Sequence, residues 1–337
     1  MKILIIRVGA MGDVLHALPA VAALRRAHPE WEIDWVITPH WSPLLVNGDG
    51  KGPVVRRVSL AETKLWSKAP ASPATMRSIF DLRRALRGER YDLAVDMQGT
   101  LRSAVIGRMS GSGQFAGYSD PREPLAARFY KTTLERKGRH VIEQGAALLG
   151  EACGVALEPD GVELPHEEWA DHWAAEVVGD RRVCVLAAGA GWAAKCWAVQ
   201  RYGALAVELK AMGLDVVVNA PRKDDALAAA VVEASRGAAR VVVCNVTGLI
   251  ALMRRMTLLV GGDSGPTHLA AALGIPLVAL FGPTDPERNG PWGPGAKIVL
   301  RDPASVTSYK HVDAPDIGLE NISVETVVDA VRSLSRL

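Results

Sequence analysis

Short runs dense in valine, isoleucine and leucine recur along this chain, each followed by a longer stretch with helical spacing, and the rhythm occurs twice. Brief apolar runs without polar alternation are what strands of a parallel sheet look like, because helices cover both faces of such a sheet. The alternation therefore predicts an α/β protein with mainly parallel sheets. In the first half the strand candidates are Ile3–Val8, Ile33–Ile37, Val54–Val58 and Leu93–Asp96, with helices over 19–28, 74–88, 100–109 and 139–152. The polar segment Leu157-Glu-Pro-Asp-Gly-Val-Glu-Leu-Pro165 then reads as an interdomain linker. After it the pattern restarts with strands Val183–Ala187, Asp215–Asn219, Val241–Cys244, Leu258–Gly261 and Leu277–Phe281, and helices over 199–212, 224–235, 248–255 and 266–273. The expected architecture is two doubly wound Rossmann-like domains, 1–160 and 166–337, facing each other across a cleft, with the C-terminal helix packing back on the first. A length of 337 residues suits that division.

Composition narrows the class. With 49% hydrophobic and 23% charged residues the chain is an ordinary folded protein rather than a disordered one. The uncharged run between Asp263 and Asp285 is long enough to span a bilayer, but Gly265, Pro266, Gly274, Pro276, Gly282 and Pro283 break it into loop, helix, strand and loop. No membrane span is expected. The opening MKILIIRV has too few apolar residues before Arg7 for a secretory signal. Cys153, Cys184, Cys196 and Cys244 form no CxxC pair, so free thiols in a reducing compartment are expected, which places the protein in the cytoplasm. Net charge is only +2, yet residues 51–90 hold ten basic side chains against Glu62, Asp81 and Glu89. Such a stripe attracts anions: nucleic acid, phosphorylated sugars or an acidic membrane surface. Arg77, Arg83, Arg84, Arg87 and Arg90 also recur at helical spacing, which fits a plain solvated helix face.

In open parallel sheets ligands bind at the carboxyl ends of the strands, so the loops that follow strands carry the chemistry. The first is Gly9-Ala-Met-Gly12-Asp13, a G-x-x-G turn and not the G-x-G-x-x-G of a dinucleotide fold. Glycines let a backbone approach a ligand, and Asp13 is placed to act on one; it is equally placed to cap the following helix, and the two roles are compatible. The second loop, Ala188-Gly189-Ala-Gly-Trp-Ala-Ala-Lys195-Cys-Trp197, brings small residues and one lysine near a helix N-terminus, as a diphosphate cradle requires. The third is the most specific: Gly261-Gly-Asp263-Ser264-Gly265-Pro-Thr-His268-Leu-Ala-Ala-Ala-Leu-Gly274. It puts the Ser264 and Gly265 amides at a helix N-terminus, with Asp263 facing the same pocket and His268 one turn inside. A lone histidine before an apolar run is commonly a core residue, but the neighbouring Asp-Ser-Gly favours ligand contact. The loop Gly282-Pro-Thr-Asp285-Pro is expected to close the same site.

Other features carry less. His166 and His172 flank Glu167 and Glu168 without the H-E-x-x-H spacing of a zinc site. Gly111-Ser-Gly113 with Gly117 reads as a turn, and Trp169 with Trp173 as a packing pair. Catalysis is therefore expected to rest on acid–base and electrostatic groups.

Three segments together resemble a known family: Arg7-Val-Gly-Ala-Met-Gly-Asp13-Val-Leu-His, Ala-Ala-Lys195-Cys-Trp197, and Asp263-Ser-Gly-Pro-Thr-His268-Leu-Ala-Ala-Ala-Leu-Gly. The family is the bacterial ADP-heptose:lipopolysaccharide heptosyltransferases, glycosyltransferase family nine, which have the GT-B fold. Phe281-Gly-Pro-Thr-Asp-Pro and Gly290-Pro-Trp-Gly-Pro fit as well, so the likeness covers nearly the whole chain. Asp96-Met-Gln98-Gly99-Thr-Leu-Arg102-Ser103-Ala and Arg122-Glu123-Pro-Leu-Ala-Ala-Arg-Phe-Tyr130 are most similar to the heptosyltransferase I subgroup.

The resemblance implies an inverting transfer of heptose from ADP-L-glycero-D-manno-heptose to the Kdo of lipid A–Kdo, without a metal or other cofactor. Asp13 matches the general base, beside the loop glycines Gly9 and Gly12. Lys195 matches a diphosphate ligand, and Asp263, Ser264, Gly265 and His268 match the donor-binding turn, with Gly189 in the neighbouring loop. The donor domain is the second and the acceptor domain the first. Arg122 matches an acceptor-side arginine; Gln98, Arg102, Lys64 and Lys68 are further candidates for the anionic acceptor. The implied protein is a monomer, peripheral at the inner-membrane surface, that binds no nucleic acid. Departures from the family pattern are Ser264 in place of threonine, Ala193 and Ala194 in place of polar residues, and two aspartates, Asp224 and Asp225, without the glutamate expected on the donor ribose; the ribose contact stays open between the two, with Asp224 named as the donor-site candidate. A family member with another nucleotide sugar or a later heptose acceptor is the near alternative. An NAD-dependent oxidoreductase with two Rossmann-like domains is the alternative of another class, and G-x-G-x-x-G is missing for it.

Overall fold

Each half of the chain builds one sheet of six parallel strands. In the computed structural model, which describes residues 1–309 and 314–334, the chain separates into two compact units, Met1–Pro165 and His166–Leu337. The first sheet contains β1 (Lys2–Ile6), β2 (Glu32–Ile37), β3 (Arg57–Leu60), β4 (Leu93–Asp96), β5 (Gln114–Tyr118) and β6 (Thr132–Leu134), in the order β3-β2-β1-β4-β5-β6. The second contains β7 (Val183–Ala187), β8 (Asp215–Ala220), β9 (Ala239–Val243), β10 (Leu258–Gly262), β11 (Leu277–Phe281) and β12 (Lys297–Arg301), in the order β12-β11-β10-β7-β8-β9. Counted from the first strand of its own unit, each is the doubly wound order 3-2-1-4-5-6, which reverses direction between its first and fourth strands. These switch points lie between β1 and β4 and between β7 and β10.

The strands are buried on both faces, as their unbroken apolar runs require: Ile3, Leu4, Ile5 and Ile6 are inaccessible, as are Cys184, Val185 and Leu186. One core surrounds Leu4, Ile6, Val36, Leu86 and Phe115; another surrounds Leu186, Val216, Val260, Leu280 and Val331. The last described helix, Val324–Leu334, packs on β11, β12 and the helix Val199–Ala211 of its own unit.

Several local expectations change. The first helix runs over Met11–Ala27 and starts well before residue 19, with Pro19 in its interior. Proline removes one helix hydrogen bond, but every residue from Val14 to Leu24 is buried, so packing outweighs the local cost. β3 is shifted toward its C-terminal side, and β5, β6 and β12 are strands that the apolar pattern did not reveal. Gly117 is not a turn residue: it lies within β5, where a Cβ would come 2.4 Å from Tyr130 Cε2. Trp169 is 54% exposed and Trp173 packs against Ala170, Ala174 and Ala251, so the two are not a mutual pair. Residues 263–285 divide into the helix Gly265–Ala272 and β11, and among the described residues no helix is long and apolar enough to cross a membrane. All four cysteines are free thiols.

Candidate active site

At the first switch point Ile6 of β1 stands opposite Asp96 of β4, so the chain leaves the sheet at two neighbouring points. The outgoing loops are stitched together: Val8 N–H donates to Gln98 Oε1 at 2.8 Å, and the Arg7 guanidinium donates through Nη1 to the Met97 carbonyl. The same guanidinium reaches Asp13 Oδ1 through Nη2 at 2.9 Å. Asp13 Oδ2 accepts from the Ala10 amide at 3.2 Å, so Asp13 also caps its helix; the side chain remains 39% exposed. Gly9 has φ +150°, and a Cβ there would come 2.8 Å from Trp41 Cδ1, which restricts the position to glycine. Gly12 is the second residue of the helix that carries Asp13. A carboxylate fixed from two sides yet open to solvent can receive a proton from a bound hydroxyl.

Asp96 organises the loop after β4. Wholly buried, it accepts from the Gln98 and Gly99 amides at 2.8 and 3.0 Å, and from Ser103 Oγ and Tyr130 OH at 2.8 Å each. Burial pushes its carboxyl above the usual range, and these four donors act against that push. The Glu123 amide donates to the Gly99 carbonyl at 2.9 Å and Glu123 Oε2 accepts from the Leu101 amide at 2.8 Å, tying Arg122 to this loop. The result is a pocket of about 640 Å³ whose wall includes Trp66, Ile79, Gln98, Arg102, Val105 and Arg122. Three acceptor candidates, Gln98, Arg102 and Arg122, thus come together. Lys64 and Lys68 do not belong to that wall; both are exposed on the short helix Thr63–Lys68, whose Trp66 does.

In the second unit, β10 ends in Gly262, and Asp263 and Ser264 lead into the helix Gly265–Ala272. Asp263 is a buried hub: Oδ2 accepts from Lys195 Nζ and from Thr284 Oγ1 (2.8 Å), and Oδ1 lies 3.0 Å from His268 Nε2. Burial alone would raise its carboxyl, but the His268 hydrogen bond and the charges of His268 and Lys195 hold it well below the usual range. His268 is turned onto Asp263, whose other carboxylate oxygen pairs with Lys195. Lys195 also lies over the Trp192 ring, 4.3 Å from its centroid. With the positive end of the helix at Ser264 and Gly265 close by in sequence, this is a site for an anion. A smaller pocket of about 120 Å³ beside it is lined by Ala188, Gly189, Asn219, Asp225 and Pro266. Of the two neighbouring aspartates, Asp225 stands in this wall and caps the next helix through Ala228 N–H at 2.9 Å. Asp224 is exposed and paired with Arg222 Nε at 3.3 Å.

Arg7, Asp96 and Trp192 were not singled out as site residues; Thr284 lies in the loop expected to close the site, and of the two aspartates left open for the donor ribose it is Asp225, not the named candidate Asp224, that stands in the pocket wall. A charged residue that ends an apolar strand, as Arg7 and Asp96 do, is the signal that could have revealed the first two. Among the described residues no group of three His, Cys, Asp or Glu side chains could hold a metal ion, and His166 is paired with Asp171 at 3.3 Å.

Residues 79–314 match the model of glycosyltransferase family 9 (heptosyltransferase). Lipopolysaccharide heptosyltransferase 1 of Pseudomonas aeruginosa is 30% identical over 303 residues, covering 87% of this chain and 82% of that protein. Lipopolysaccharide heptosyltransferase 1 of Escherichia coli K12 is 26% identical, covering 99% of this chain and all of the other. In fold, the chain is similar to E. coli heptosyltransferase WaaC with ADP, with a TM-score of 0.81 at 24% identity over 99% of this chain and 100% of that one. The two-sheet α/β architecture is thus the GT-B fold. The chain belongs to glycosyltransferase family 9 and is a glycosyltransferase.

Proposed function

We propose that this family-9 enzyme is a heptosyltransferase of the lipopolysaccharide core, moving heptose from ADP-L-glycero-D-manno-heptose to Kdo on lipid A with inversion and without a metal. The acceptor hydroxyl oxygen attacks the anomeric carbon while the bond from that carbon to the ADP oxygen breaks. Asp13 takes the hydroxyl proton. Lys195 and the N-terminus of the helix Gly265–Ala272 stabilise the negative charge that accumulates on departing ADP. Asp263, His268 and Thr284 keep Lys195 in place, and the pocket holding Gln98, Arg102 and Arg122 takes the carboxylate and phosphate groups of the acceptor. Asp225 rather than Asp224 is the acid nearest the donor nucleoside, because it lines the pocket beside Gly189. The protein acts as a monomer in the cytoplasm, at the inner face of the membrane that carries its acceptor.

The observation that carries the chemistry is Asp13, held by Arg7 and the Ala10 amide at the carboxyl end of β1 and still 39% exposed. The relatives named lipopolysaccharide heptosyltransferase 1 support heptose transfer in lipopolysaccharide synthesis, and the structural neighbour with ADP-2-deoxy-2-fluoro heptose supports the donor. A later heptose acceptor is a second reading, favoured by the 27% identity to E. coli lipopolysaccharide heptosyltransferase 3 over 298 residues. The test is incubation with ADP-heptose and de-acylated Kdo–lipid A in the presence of a chelator, following ADP release, product mass and anomeric configuration. A heptose-sized mass gain with inverted configuration, lost in Asp13→Asn, is expected. Transfer only to an acceptor that already bears heptose would establish the second reading, and retention of configuration or dependence on metal would overturn the mechanism.

A further inference from the structure

The helix Pro73–Gly88 leaves part of its surface uncovered. Thr75, Leu82 and Leu86 are its buried residues, while Met76 and Phe80 are 62% and 61% exposed. Arg83 and Arg87 are exposed too, and neither makes an ion pair among the described residues; Arg77 and Arg84 share Asp81. At 3.6 residues per turn, Met76, Phe80, Arg83 and Arg87 fall within about 60° of one another around the helix. Two large apolar side chains therefore stand in one file with two unneutralised guanidinium groups. Ile79 lies between this file and the buried face, and it lines the pocket that holds Arg102 and Arg122.

We infer that the Met76–Phe80–Arg83–Arg87 face docks on an anionic phospholipid bilayer, so that the mouth of the Arg102–Arg122 pocket is brought to the lipid surface. An interfacial helix places apolar side chains at the acyl boundary while its arginines reach up to the phosphates, and this face offers both at the same level. Charge complementarity favours a bilayer with anionic headgroups, since residues 51–90 carry ten basic against three acidic side chains. The inference gains its purpose from the lipid-linked acceptor proposed above, but vesicle binding needs neither donor nor acceptor, so the two can fail separately.

The test is sedimentation of the full chain with vesicles of phosphatidylcholine containing phosphatidylglycerol, beside vesicles of phosphatidylcholine alone. Binding to the anionic vesicles, reversed by salt, is expected. Loss of two arginine contacts in Arg83→Gln/Arg87→Gln should lower partitioning by roughly thirtyfold, and Met76→Ser/Phe80→Ser by roughly tenfold or more. Val306→Ser, which removes a still more exposed apolar side chain in the second unit, should change nothing. All variants should melt as the wild type does, because each replaced side chain is exposed. Equal binding to neutral vesicles, or unchanged partitioning in both double variants, would overturn the inference. So would a wild-type dimer that Met76→Ser/Phe80→Ser converts to monomer, since the face would then serve a second copy of the chain.

Discussion

Replacing Asp263 by asparagine keeps the volume of the side chain and removes only its charge. Three donors converge on that carboxylate: Lys195 Nζ, Thr284 Oγ1 at 2.8 Å and His268 Nε2 at 3.0 Å. The Lys195 and His268 side chains are only 13% and 5% exposed, so water does not replace the lost partner in full. Breaking a buried pair by removing one member costs about 3–5 kcal/mol. Lys195 retains some solvent access and the Trp192 ring, which places the loss near the lower end, about 3 kcal/mol. For a unit of this size each kcal/mol shifts melting by roughly 2–4 °C, so the second unit should melt about 6–12 °C lower. Scanning calorimetry of wild type and Asp263→Asn at neutral pH measures this. The pH dependence has a defined sign. The folded-state carboxyl is held below the unperturbed value of 3.8, so on acidification the unfolded chain takes up the proton first. The contribution of Asp263 is complete above that value and is lost as pH falls through the lower folded value. The gap between the two proteins should therefore be flat at higher pH and close on acidification. A variant that melts with the wild type at neutral pH, or a gap that widens in acid, would refute the reasoning.

Asp13→Asn should lower kcat by roughly 10²–10⁴, the range for loss of a general base. The Asp13 side of its ion pair with Arg7 is 39% exposed, so the melting temperature should move by less than about 1 kcal/mol would cause. Arg122→Gln should raise the acceptor KM by roughly tenfold or more while leaving the donor KM alone, as expected for one lost charge-assisted contact; equal effects on both would place Arg122 elsewhere in the reaction. Gly117→Ala puts a methyl group 2.4 Å from the Tyr130 ring, which also bonds Asp96, and overpacking of this kind costs about 1–3 kcal/mol. A lowered urea midpoint with an unchanged slope would register that cost, and an unchanged midpoint would show that Tyr130 can move aside.

Much of the fold could be read from local pattern because parallel strands are buried on both faces and leave apolar runs without polar interruption. Leu93–Asp96, Val183–Ala187 and Leu277–Phe281 have the bounds that such runs predict. The strands that escaped have weaker local signals: Gln114–Tyr118 contains a glycine, Thr132–Leu134 is three residues long, and Lys297–Arg301 begins and ends with charge. Each exists because a neighbouring strand offers it a ladder. Pro19 likewise stands inside a helix for reasons of packing that no window of sequence contains.

The same division runs through the site. The glycine-rich turns after β1 and β10, and the acids, lysine and histidine that they carry, were legible because loops at strand ends are short and their residue types are chemically distinct. Which groups these side chains face was not. Asp263 and His268 read as ligand contacts, but the fold brings Lys195 and Thr284 onto Asp263 from loops 68 and 21 residues away. Asp224 and Asp225 are neighbours of identical chemistry, and only the turn before the helix Ala226–Ala234 puts Asp225 in a pocket wall and leaves Asp224 in solvent. Sequence by itself determined the two-sheet α/β class, its strand-end loops and the family, because those depend on periodicity and on residues adjacent in the chain. Tertiary structure alone decided partners, because hydrogen bonds and ion pairs act over a few ångströms of space and are indifferent to separation along the chain.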